Sequence, residues 1–309
     1  MKFSLVIPTL NAGSLWKKFI SALAEQTLQP DLVLVVDSGS SDGTDLLAEK
    51  AGYRVHRIER ESFNHGGTRQ LAVDLLPPTD IVVFMTQDAL LESPNSMKFL
   101  LKCFAHKGGC SVGAVCGRQL PHINATPIAS HSRLYNYKEK SNIFSKDDIP
   151  RLGLKSTFMS DSFSAYSIEA LKKVGGFETS VVVCEDTFLA GRILLSGYKT
   201  VYSAEATVRH SHNFGLLEEA RRYFDIGVAH ASQSWFIEEF GEPEGEGFRY
   251  MRSEVRYLLR ISPVMLPLAI FRDVLKYVFY RLGRKEKYLS NNIKKNLSYQ
   301  RYFWKNECG

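Results

Sequence analysis

The amino-acid sequence predicts an α/β fold with a mainly parallel sheet flanked by helices, followed by a C-terminal helical amphipathic extension. In the first 120 residues, short runs rich in β-branched residues alternate with segments whose apolar residues recur at helical spacing. Strands that alternate with helices in this way form parallel sheets with both faces covered. The 309 residues are 44% hydrophobic and 23% charged, which is enough apolar material for a sizeable core.

The predicted elements follow one another regularly up to residue 120. Short apolar runs predict strands at residues 3–8, 32–37, 54–58, 81–85 and 112–118. Helical periodicity between them predicts helices at residues 15–26, 44–51, 68–75 and 96–104. From residue 120 to residue 224 the pattern is less regular, and turns at Gly175-Gly176 and Gly197 favour mixed structure that completes the same domain. The sequence therefore predicts one domain at residues 1–225 and a helical extension at residues 226–309.

Polar residues stand at the carboxyl ends of four predicted strands. They are Pro8-Thr9, Asp37-Ser38, Thr86-Gln87-Asp88 and Arg118-Gln119. In open α/β sheets, ligands bind in the crevice outside these strand ends. Four polar strand ends at one edge are hard to explain as structure alone, so the sequence predicts a binding site there.

Several common classes of protein are disfavoured. The first predicted strand ends in Val6-Ile7-Pro8-Thr9 without the glycine-rich turn of a dinucleotide site, and no P-loop motif occurs, which disfavours hydride transfer and P-loop chemistry. An odd number of cysteines without a Cys-x-x-Cys pair indicates neither a disulfide framework nor a zinc knuckle, and favours a reducing compartment. These cysteines are Cys103, Cys110, Cys116, Cys184 and Cys308. The N-terminal residues lack the architecture of a cleavable signal, which favours a cytoplasmic location.

Positive charge is concentrated near the C-terminus. The whole chain has a net charge of +6. Between residues 249 and 305 there are 14 Lys and Arg residues but 3 acids, a surplus of +11, so the rest of the chain carries −5. A basic extension on a mildly acidic body predicts an anionic partner, either a membrane surface or a nucleic acid.

The same region has an amphipathic pattern. Its longest uncharged run, residues 261–271, contains two prolines and is shorter than the roughly 20 residues of a membrane-spanning helix. Farther along, apolar residues share one helical face while Lys276, Arg281 and Arg284 lie elsewhere. That face consists of Val274, Leu275, Val278, Phe279 and Leu282. The pattern predicts a helix in the interface of an anionic membrane and argues against a nucleic-acid partner. A helix packed on the body with a solvated basic face is the alternative.

Two strings near the N-terminus resemble those of inverting family-2 glycosyltransferases. Residues 6–11 read V-I-P-T-L-N, and residues 36–44 read V-D-S-G-S-S-D-G-T. The resemblance implies a GT-A fold with a Rossmann-like sheet, in which Thr9, Asn11 and Asp37 contact a nucleotide-sugar. A carboxylate at a strand end can accept hydrogen bonds from a pyrimidine N–H or a ribose hydroxyl. An ordinary capping acid is the alternative for Asp37.

Three further strings resemble those of bacterial O-antigen rhamnosyltransferases. They are F-N-H-G-G-T-R at residues 63–69, V-C-G-R-Q-L-P-H at residues 115–122 and R-H-S-H-N at residues 209–213, and the similarity extends from about residue 3 to residue 260. Paired glycines at a helix start let the backbone approach a ligand, and free N–H groups there favour negative charge. The resemblance implies Arg69 and Arg118 as nucleotide-sugar-binding residues. An ordinary helix start is the alternative for the first string.

The end of the fourth predicted strand lies where the family has its D-x-D metal motif. Asp88 matches the second acid, Thr86 replaces the first, and Gln87 between them is implied on the nucleotide-sugar side. Hard oxygen ligands suit Mg²⁺ or Mn²⁺, so the resemblance implies one of these cations as cofactor. The family places a histidine after the catalytic acid, which implies His210 as a second metal ligand. His212 is the alternative, because residues i and i+2 of a strand point to opposite faces.

Two neighbouring acids, Glu185 and Asp186, begin a predicted helix. They match the family's E-D motif, which implies Asp186 as the general base that takes the proton of the acceptor hydroxyl, with Glu185 as its neighbour. Exchanged roles are the alternative. General-base catalysis contributes roughly 10²–10⁴-fold to a rate. Acids also favour a helix N-terminus for electrostatic reasons, and both roles are compatible.

Together the resemblances imply an inverting glycosyltransferase that moves L-rhamnose from dTDP-L-rhamnose to a hydroxyl of a polyprenyl-diphosphate-linked saccharide in O-antigen and lipopolysaccharide biosynthesis. They imply residues 1–225 as the catalytic domain, and a peripheral location on the inner face of the bacterial cell membrane. One alternative is another donor, carrying N-acetylhexosamine, mannose or galactose. A non-catalytic membrane scaffold with a degenerate sugar-nucleotide fold is the other, because Thr86 replaces an acid of the metal motif.

Overall fold

The structure, a computed structural model, describes residues 1–105 and 111–305. Its strands are β1 (Phe3–Thr9), β2 (Leu32–Asp37), β3 (Arg54–Arg57), β4 (Ile81–Met85), β5 (Leu90–Leu91), β6 (Val112–Leu120), β7 (Asn142–Phe144), β8 (Phe163–Ser167) and β9 (Lys199–Arg209). Its α-helices are α1 (Gly13–Ala24), α2 (Thr44–Lys50), α3 (His65–Leu75), α4 (Ser96–Leu101), α5 (Pro127–Asn136), α6 (Ile149–Leu152), α7 (Ile168–Lys173), α8 (Glu185–Leu195), α9 (Leu216–Ser232), α10 (Ser234–Phe240), α11 (Glu244–Ile261), α12 (Leu266–Gly283) and α13 (Asn291–Leu297). Short 3₁₀ turns connect several of these elements.

The strands form one sheet in the spatial order β3-β2-β1-β4-β8-β6-β9-β5, with β7 paired to β9. β1 is parallel to β2 and β4, and β2 is parallel to β3. β8 is antiparallel to its neighbours β4 and β6, whereas β6 and β9 are again parallel. The α/β fold and the parallel pairing of the first strands are confirmed, and β8 makes the complete sheet mixed. The apolar pattern of a strand does not encode its direction, so this reversal follows only from the pairing.

Every strand and helix predicted in the first 120 residues is present, with bounds that differ by a few residues. The α3 helix begins three residues early, at His65 instead of residue 68. The reason is local, because Asn64 caps the helix with its side chain. Its Oδ1 atom accepts a hydrogen bond from the backbone N–H of Gly67 at 2.7 Å, which satisfies one of the N–H groups that a helix start leaves without a partner.

Apolar side chains cover both faces of the sheet. Alternate residues of a strand point to opposite faces. Leu5 and Ile7 of β1 therefore pack in one layer, together with Trp16 of α1, whereas Val6 packs in the other layer, together with Leu189 of α8. Because both faces are covered, a ligand can reach this sheet only at the strand ends.

The chain divides into two compact units. The first contains Met1–Leu120, Tyr137–Thr179 and Glu185–His210, which hold the strands and α8. The second contains Pro121–Asn136, Ser180–Cys184 and the described residues from Ser211 onward, which hold α5 and the helices after β9. The division predicted after residue 225 remains a prediction.

In the second unit, α9 and α12 cross at two glycines. A Cβ atom on Gly227 would lie 2.2 Å from the carbonyl oxygen of Tyr280, and one on Gly283 would lie 2.1 Å from that of Phe224. Any larger side chain would force the helices apart, so glycine permits this close crossing.

The amphipathic helix predicted around residues 274–282 is present as α12, and its membrane role stays a prediction. Lys276 is 7% exposed and pairs with Asp273 at 2.5 Å, whereas Val274 and Val278 are exposed. Helical periodicity shows which residues share a face, but not which face the rest of the protein covers. Within residues 1–105 and 111–305, none of the helices combines the length and the apolar character needed to cross a bilayer.

Among the described residues, Cys103, Cys116 and Cys184 form no disulfide, and the thiols of Cys103 and Cys116 are partly and fully buried. Burial raises the pKa of both thiols. Neither is therefore a reactive thiolate at neutral pH. Cys110 and Cys308 lie outside the described residues.

Candidate active site

Thr9 and Asp37 lie side by side at the ends of β1 and β2, where they are partners in the parallel register. The Thr9 hydroxyl donates to Asp37 Oδ2 at 2.8 Å. The Asp37 carboxylate also accepts from Ser40 Oγ at 2.6 Å and from the backbone N–H groups of Gly39 and Ser40 at 3.1 and 2.9 Å. The structure thus brings these two predicted residues together, and Asp37 also organises the loop after β2. The contact of both residues with a nucleotide stays a prediction.

The loop after β1 is tied to the end of β4 through Gln87. The backbone N–H of Leu10 donates to Gln87 Oε1 at 2.8 Å, and Gln87 Nε2 donates to the Leu10 carbonyl at 2.9 Å. Asn11 follows in the left-handed region with φ 46°, and its Oδ1 accepts from the backbone N–H of Ser41 at 2.8 Å. The predicted residues Asn11 and Gln87 therefore join the loops after β1, β2 and β4. Asn11 remains exposed at this edge.

Asp88 and His210 meet because β5 and β9 are antiparallel. Leu90 pairs with Arg209, so Asp88, two residues before β5, and His210, the residue after β9, lie close together. Asp88 Oδ1 and His210 Nε2 are 3.5 Å apart. The structure therefore brings together the two predicted metal ligands, whose common role stays a prediction.

Gln119, at the end of β6, orients the ring of His210. His210 Nδ1 is 2.9 Å from Gln119 Oε1, and Gln119 Nε2 donates to Ser160 Oγ at 2.9 Å. With the amide in this orientation, its oxygen accepts the proton of Nδ1, and Nε2 is the basic nitrogen on the side of Asp88. A hydrogen bond to the second ring nitrogen is the usual way in which a protein sets the tautomer of a metal-binding histidine.

The donor atoms around Asp88 fit a hard divalent cation. Asp88 offers a carboxylate oxygen and His210 a ring nitrogen. Two residues before Asp88, Thr86 has a buried hydroxyl, whose Oγ1 makes no hydrogen bond within the described part of the chain. Such oxygen and imidazole donors suit Mg²⁺ or Mn²⁺. His212, the alternative ligand, belongs to the second unit, where its ring lies 4.8 Å from that of Phe214.

The two predicted catalytic acids begin α8 and differ in accessibility. Glu185 is 5% exposed, and its Oε1 lies 3.0 Å from Arg69 Nη1. Asp186 is only partly buried. It accepts from the backbone N–H groups of Thr187 at 2.7 Å and Asp161 at 3.2 Å. Asp186 is therefore the less buried acid of the pair.

Arg69 lies between carboxylates. The sequence predicts it on the nucleotide side, and the structure places its Nε 2.8 Å from Asp161 Oδ2, in addition to the contact with Glu185. Asp161 is 2% exposed, and its Oδ1 accepts from Ser164 Oγ at 2.6 Å and from Tyr166 Oη at 2.7 Å. Such partners are needed, because leaving one charge of a buried pair uncompensated costs roughly 3–5 kcal/mol. The contact of Arg69 with a nucleotide stays a prediction.

The enclosed acids hold protons more tightly than exposed ones. Burial raises the pKa of Glu185, although Arg69 opposes the shift. Burial also raises the pKa of Asp186, and the charge of Asp161 raises it further while Arg69 lowers it. For Arg69, burial alone would lower the pKa, but the carboxylates of Glu185 and Asp161 outweigh burial and raise it. Glu185 and Asp186 therefore keep their protons to higher pH than exposed acids do.

Gly66 explains how α3 brings Arg69 to these acids. A Cβ atom at Gly66 would lie 1.8 Å from the carbonyl oxygen of Glu178 and 3.4 Å from Cβ of Glu185. The helix thus passes against the chain at the start of α8, with Arg69 one turn farther on. The sequence predicts that the glycines approach a ligand, and the structure shows that Gly66 approaches the backbone of the protein itself.

The predicted metal ligands and the predicted acid Asp186 are linked within the first unit through hydrogen bonds and neighbouring residues. The network runs from His210 through Gln119 to Ser160, and the next residue, Asp161, donates its backbone N–H to Asp186. Asp88 adjoins the network at His210. Residues that are far apart in the sequence are therefore connected by a few short contacts.

Arg118 points away from Gln119, because successive residues of a strand face opposite sides. Its Nη2 lies 3.2 Å from Oε1 of Glu139, whose side chain is 89% exposed. An ion pair with so exposed a partner contributes little energy. Arg118 Nε is buried and makes no hydrogen bond within residues 1–105 and 111–305. Arg118 therefore has donor capacity for an anion, and its contact with a nucleotide-sugar stays a prediction.

Reasoning from the sequence misses Asp161 and the role of Gln119. Asp161 lies in the irregular segment before β8, where periodicity carries no signal. An acid between two serines, in Ser160-Asp161-Ser162, is the one local hint. Gln119 is visible only as a polar strand end, and its function depends on the distant His210.

Proteins of known function are similar in sequence to this chain. The sequence model of glycosyl transferase family 2 matches residues 4–175, which is more than half of the chain. The chain is 42% identical over 307 residues to the O-antigen chain rhamnosyltransferase RfbN of Salmonella typhimurium strain LT2, with 99% of this chain and 97% of that protein covered. It is 41% identical over 305 residues to the O-antigen chain rhamnosyltransferase WbaN of Salmonella anatum, with 98% and 96% covered.

Solved structures share the fold. The mannosyltransferase PcManGT of Pyrobaculum calidifontis, solved with GDP-Man and Mn²⁺, superposes with a TM-score of 0.57 at 19% identity, covering 98% of this chain and 85% of that chain. Residues 1-349 of S. aureus TarS, solved with UDP-GlcNAc, superpose with a TM-score of 0.51 at 16% identity, covering 93% and 91%. The predicted GT-A fold is thereby confirmed. Because the family matches more than half of the chain and two relatives match nearly all of it, the protein belongs to glycosyl transferase family 2.

Proposed function

We propose that the protein transfers L-rhamnose from dTDP-L-rhamnose to a hydroxyl of a polyprenyl-diphosphate-linked saccharide, with inversion, in O-antigen and lipopolysaccharide biosynthesis. The sugar is supported by two relatives, which carry the name O-antigen chain rhamnosyltransferase at 42% and 41% identity. One observation above all supports the catalytic step. Arg69 holds Glu185 in a buried ion pair, and Asp186 is left as the less buried acid at the start of α8.

In the proposed reaction, Asp186 takes the proton of the acceptor hydroxyl. That oxygen forms a bond to the anomeric carbon of rhamnose, while the bond from this carbon to the phosphate oxygen breaks on the opposite face. The dTDP leaves with the bonding electron pair, and the configuration at the anomeric carbon inverts. A base with a raised pKa suits this role, because proton transfer is most efficient when the pKa lies near the working pH.

The nucleotide-sugar is proposed to lie at the strand ends of the first unit. Thr9, Asn11 and Asp37 would contact the base and ribose, because their side chains gather at the ends of β1 and β2. Arg69 and Arg118 would stabilise the negative charge of the diphosphate. Gln87 would act through the backbone of Leu10, which it holds at two points, so it shapes the nucleotide loop.

The divalent cation is proposed to be Mg²⁺ or Mn²⁺, held by Asp88 and His210 with the hydroxyl of Thr86. Bound there, it would neutralise part of the charge of the departing diphosphate. A hydroxyl binds a cation less strongly than the acid that the family has at this position. In this proposal, His210 therefore contributes more to the affinity for the cation than Thr86 does. His212 remains the alternative to His210.

The reaction is proposed to take place at the cytoplasmic face of the bacterial inner membrane, with the protein bound peripherally. A polyprenyl chain keeps the acceptor in the bilayer, so the saccharide that receives rhamnose is presented at the membrane surface. The surplus of positive charge from residue 249 to residue 305 supports an anionic surface as partner.

The donor is tested by transfer from a panel of nucleotide sugars to a synthetic lipid-diphosphate saccharide, with the product linkage determined by NMR. We expect transfer of rhamnose with inversion. Transfer of N-acetylhexosamine, mannose or galactose without rhamnose would refute the donor. A wild-type protein that transfers none of these sugars, with native membranes as acceptor, would instead support the scaffold.

The base is tested by Asp186→Asn and Glu185→Gln. We expect Asp186→Asn to lower kcat by roughly 10²–10⁴-fold, because the amide cannot accept the proton. Asp74→Asn is the matched control, since Asp74 is exposed on α3 and outside the network. A larger loss of kcat in Glu185→Gln than in Asp186→Asn would show that Glu185 is the base. Full activity of Asp186→Asn would exclude Asp186 as the base.

A further inference from the structure

One side of α12 exposes apolar residues while the other buries charges. The exposed residues, termed here the apolar face, are Leu268, Ile270, Phe271, Val274 and Val278, and they are between 38% and 56% exposed. On the opposite side, Arg272 Nε donates to Glu219 Oε2 of α9 at 2.9 Å, and Lys276 pairs with Asp273 at 2.5 Å. The helix is therefore inverted relative to an ordinary surface helix, which buries its apolar side.

This inversion needs a partner for the apolar face. Desolvating ions costs several kcal/mol per group, so burying Lys276 and Asp273 in preference to Phe271 and Val274 is unfavourable in water alone. Exposed apolar residues that are grouped on one side of a helix mark a place where a protein binds another surface. The turn before α12 extends it, because Val264 is 85% exposed, and the end of α11 adds Leu259 and Ile261 at 56% and 59%.

Exposed arginines on α11 accompany the apolar surface. They are Arg249, Arg252, Arg256 and Arg260, termed here the arginine row. Their spacing of three and four residues places them on one side of the helix, opposite the buried Glu254. Arg249 pairs with Glu246 at 3.4 Å, whereas the other three make no ion pair within the described part of the chain. The row therefore presents uncompensated positive charge.

We propose that the arginine row and the apolar face together form a docking surface for an anionic lipid bilayer. A bilayer offers both complementary chemistries within a few ångströms, phosphate groups for the guanidinium groups and acyl carbons for the apolar side chains. A second copy of this chain would cover the apolar face but would leave the arginines without anions. The inference rests on the proposed function only in that a lipid-linked acceptor lies at the surface to which the protein binds.

The test is binding of the full chain to vesicles of phosphatidylcholine, with and without an equal part of phosphatidylglycerol, measured by sedimentation. We expect binding only to the anionic vesicles. The triple variant Arg252→Gln, Arg256→Gln and Arg260→Gln should bind on the order of 100-fold more weakly, from the contribution of each basic residue near an anionic surface. Phe271→Gln with Val274→Gln should weaken binding about 10- to 100-fold, from the loss of buried apolar side chains.

Matched controls change exposed residues elsewhere in the chain. Lys17→Gln, Lys18→Gln and Lys50→Gln remove three exposed charges, and Leu28→Gln with Leu46→Gln removes two exposed leucines. Both control variants should bind as the wild type does. Binding by the docking-surface variants that equals that of the wild type would overturn the proposal. A wild-type protein that does not bind anionic vesicles would also overturn it. The same holds if such a protein forms a dimer that Phe271→Gln with Val274→Gln dissociates, because the apolar face would then contact a second copy of the chain.

A second measurement separates this proposal from the reaction itself. Transfer to a short-chain acceptor in solution should be unchanged in the docking-surface variants, because these residues lie outside the catalytic network. Vesicle binding without transfer of any sugar would refute the reaction and leave the docking surface standing. Transfer of rhamnose by a protein that does not bind anionic vesicles would refute the docking surface alone.

Discussion

Asp161 is the residue through which the enclosed charges of the site are coupled. It pairs with Arg69 through one oxygen, accepts two hydroxyl hydrogen bonds through the other, and donates its backbone N–H to Asp186. Its charge raises the pKa of Asp186. Asp161 therefore contacts the proposed base and, after burial, makes the next largest contribution to its raised pKa.

We expect the rate of transfer to rise with pH as Asp186 ionises, because only the carboxylate can accept the proton. The pKa of Asp186 is raised by burial and by Asp161, so this rise should lie above the pKa of about 3.9 of an exposed aspartate. The charged and titratable groups around it are Asp161, Arg69, Glu185, Tyr166 and Cys116. Asp161→Asn should move the rise to lower pH and reduce kcat by up to about 100-fold through misplacement of the base.

The measurement is the pH dependence of kcat for the wild type and for Asp161→Asn. A purely structural role for Asp161 would lower activity equally at every pH, which would contradict the expectation. Tyr166→Phe serves as a second variant if Asp161→Asn fails to fold, since it removes a hydrogen bond to Asp161 and keeps the charge. In Tyr166→Phe, the pH at which the rate rises should be closer to that of the wild type than it is in Asp161→Asn.

Gln119 has a comparable role at the proposed cation site. It holds Nδ1 of His210 and so fixes which ring nitrogen is basic. We expect Gln119→Ala to raise the Mn²⁺ concentration for half-maximal activity about 10- to 100-fold, the usual effect of losing a residue that orients a metal ligand. Gln29→Ala is the control, because Gln29 contacts only backbone near the end of α1. An unchanged Mn²⁺ requirement would exclude this role.

Among the secondary-structure elements, close helix packing depends on a few glycines. Gly227→Ala should destabilise the second unit by about 1–3 kcal/mol, because the added Cβ would lie 2.2 Å from the carbonyl oxygen of Tyr280. Gly247→Ala on α11 should instead be neutral or stabilising by up to about 1 kcal/mol, since no atom lies within 4 Å of its added Cβ. Urea unfolding of both variants measures the difference. Equal stabilities would show that α9 and α12 can separate without cost.

The elements also show what a sequence can and cannot predict. The ends of β1, β2 and β4 could be predicted because an apolar run followed by polar residues defines each one locally. The network of Asp161 could not, because it forms from an irregular segment that meets α3 and α8 only in three dimensions. The orientation of α12 could not be predicted either, since the apolar pattern of its sequence leaves open which side packs against α9. The antiparallel β8 likewise depends on pairing partners.

Across the whole molecule, charge is distributed unevenly. Residues 249–305 carry a surplus of +11, and the rest of the chain carries −5. Such an arrangement attracts anionic surfaces over the distance of the Debye length, about 10 Å at 0.1 M salt and about 3 Å at 1 M. Salt should therefore affect the approach to a membrane more than it affects the enclosed ion pairs around Arg69, which solvent ions reach poorly.

This difference gives a prediction for the complete protein. Transfer to a lipid-linked acceptor in phosphatidylglycerol vesicles should fall at least about tenfold as NaCl is raised from 0.1 M to 1 M, because screening weakens several arginine contacts of about 1 kcal/mol each. Transfer to a short-chain acceptor in solution should change much less. The ratio of the two initial rates at each salt concentration measures the effect. In the triple variant of Arg252, Arg256 and Arg260 the ratio should depend less steeply on salt. Equal salt dependence with both acceptors would show that the basic extension does not bring the enzyme to its substrate.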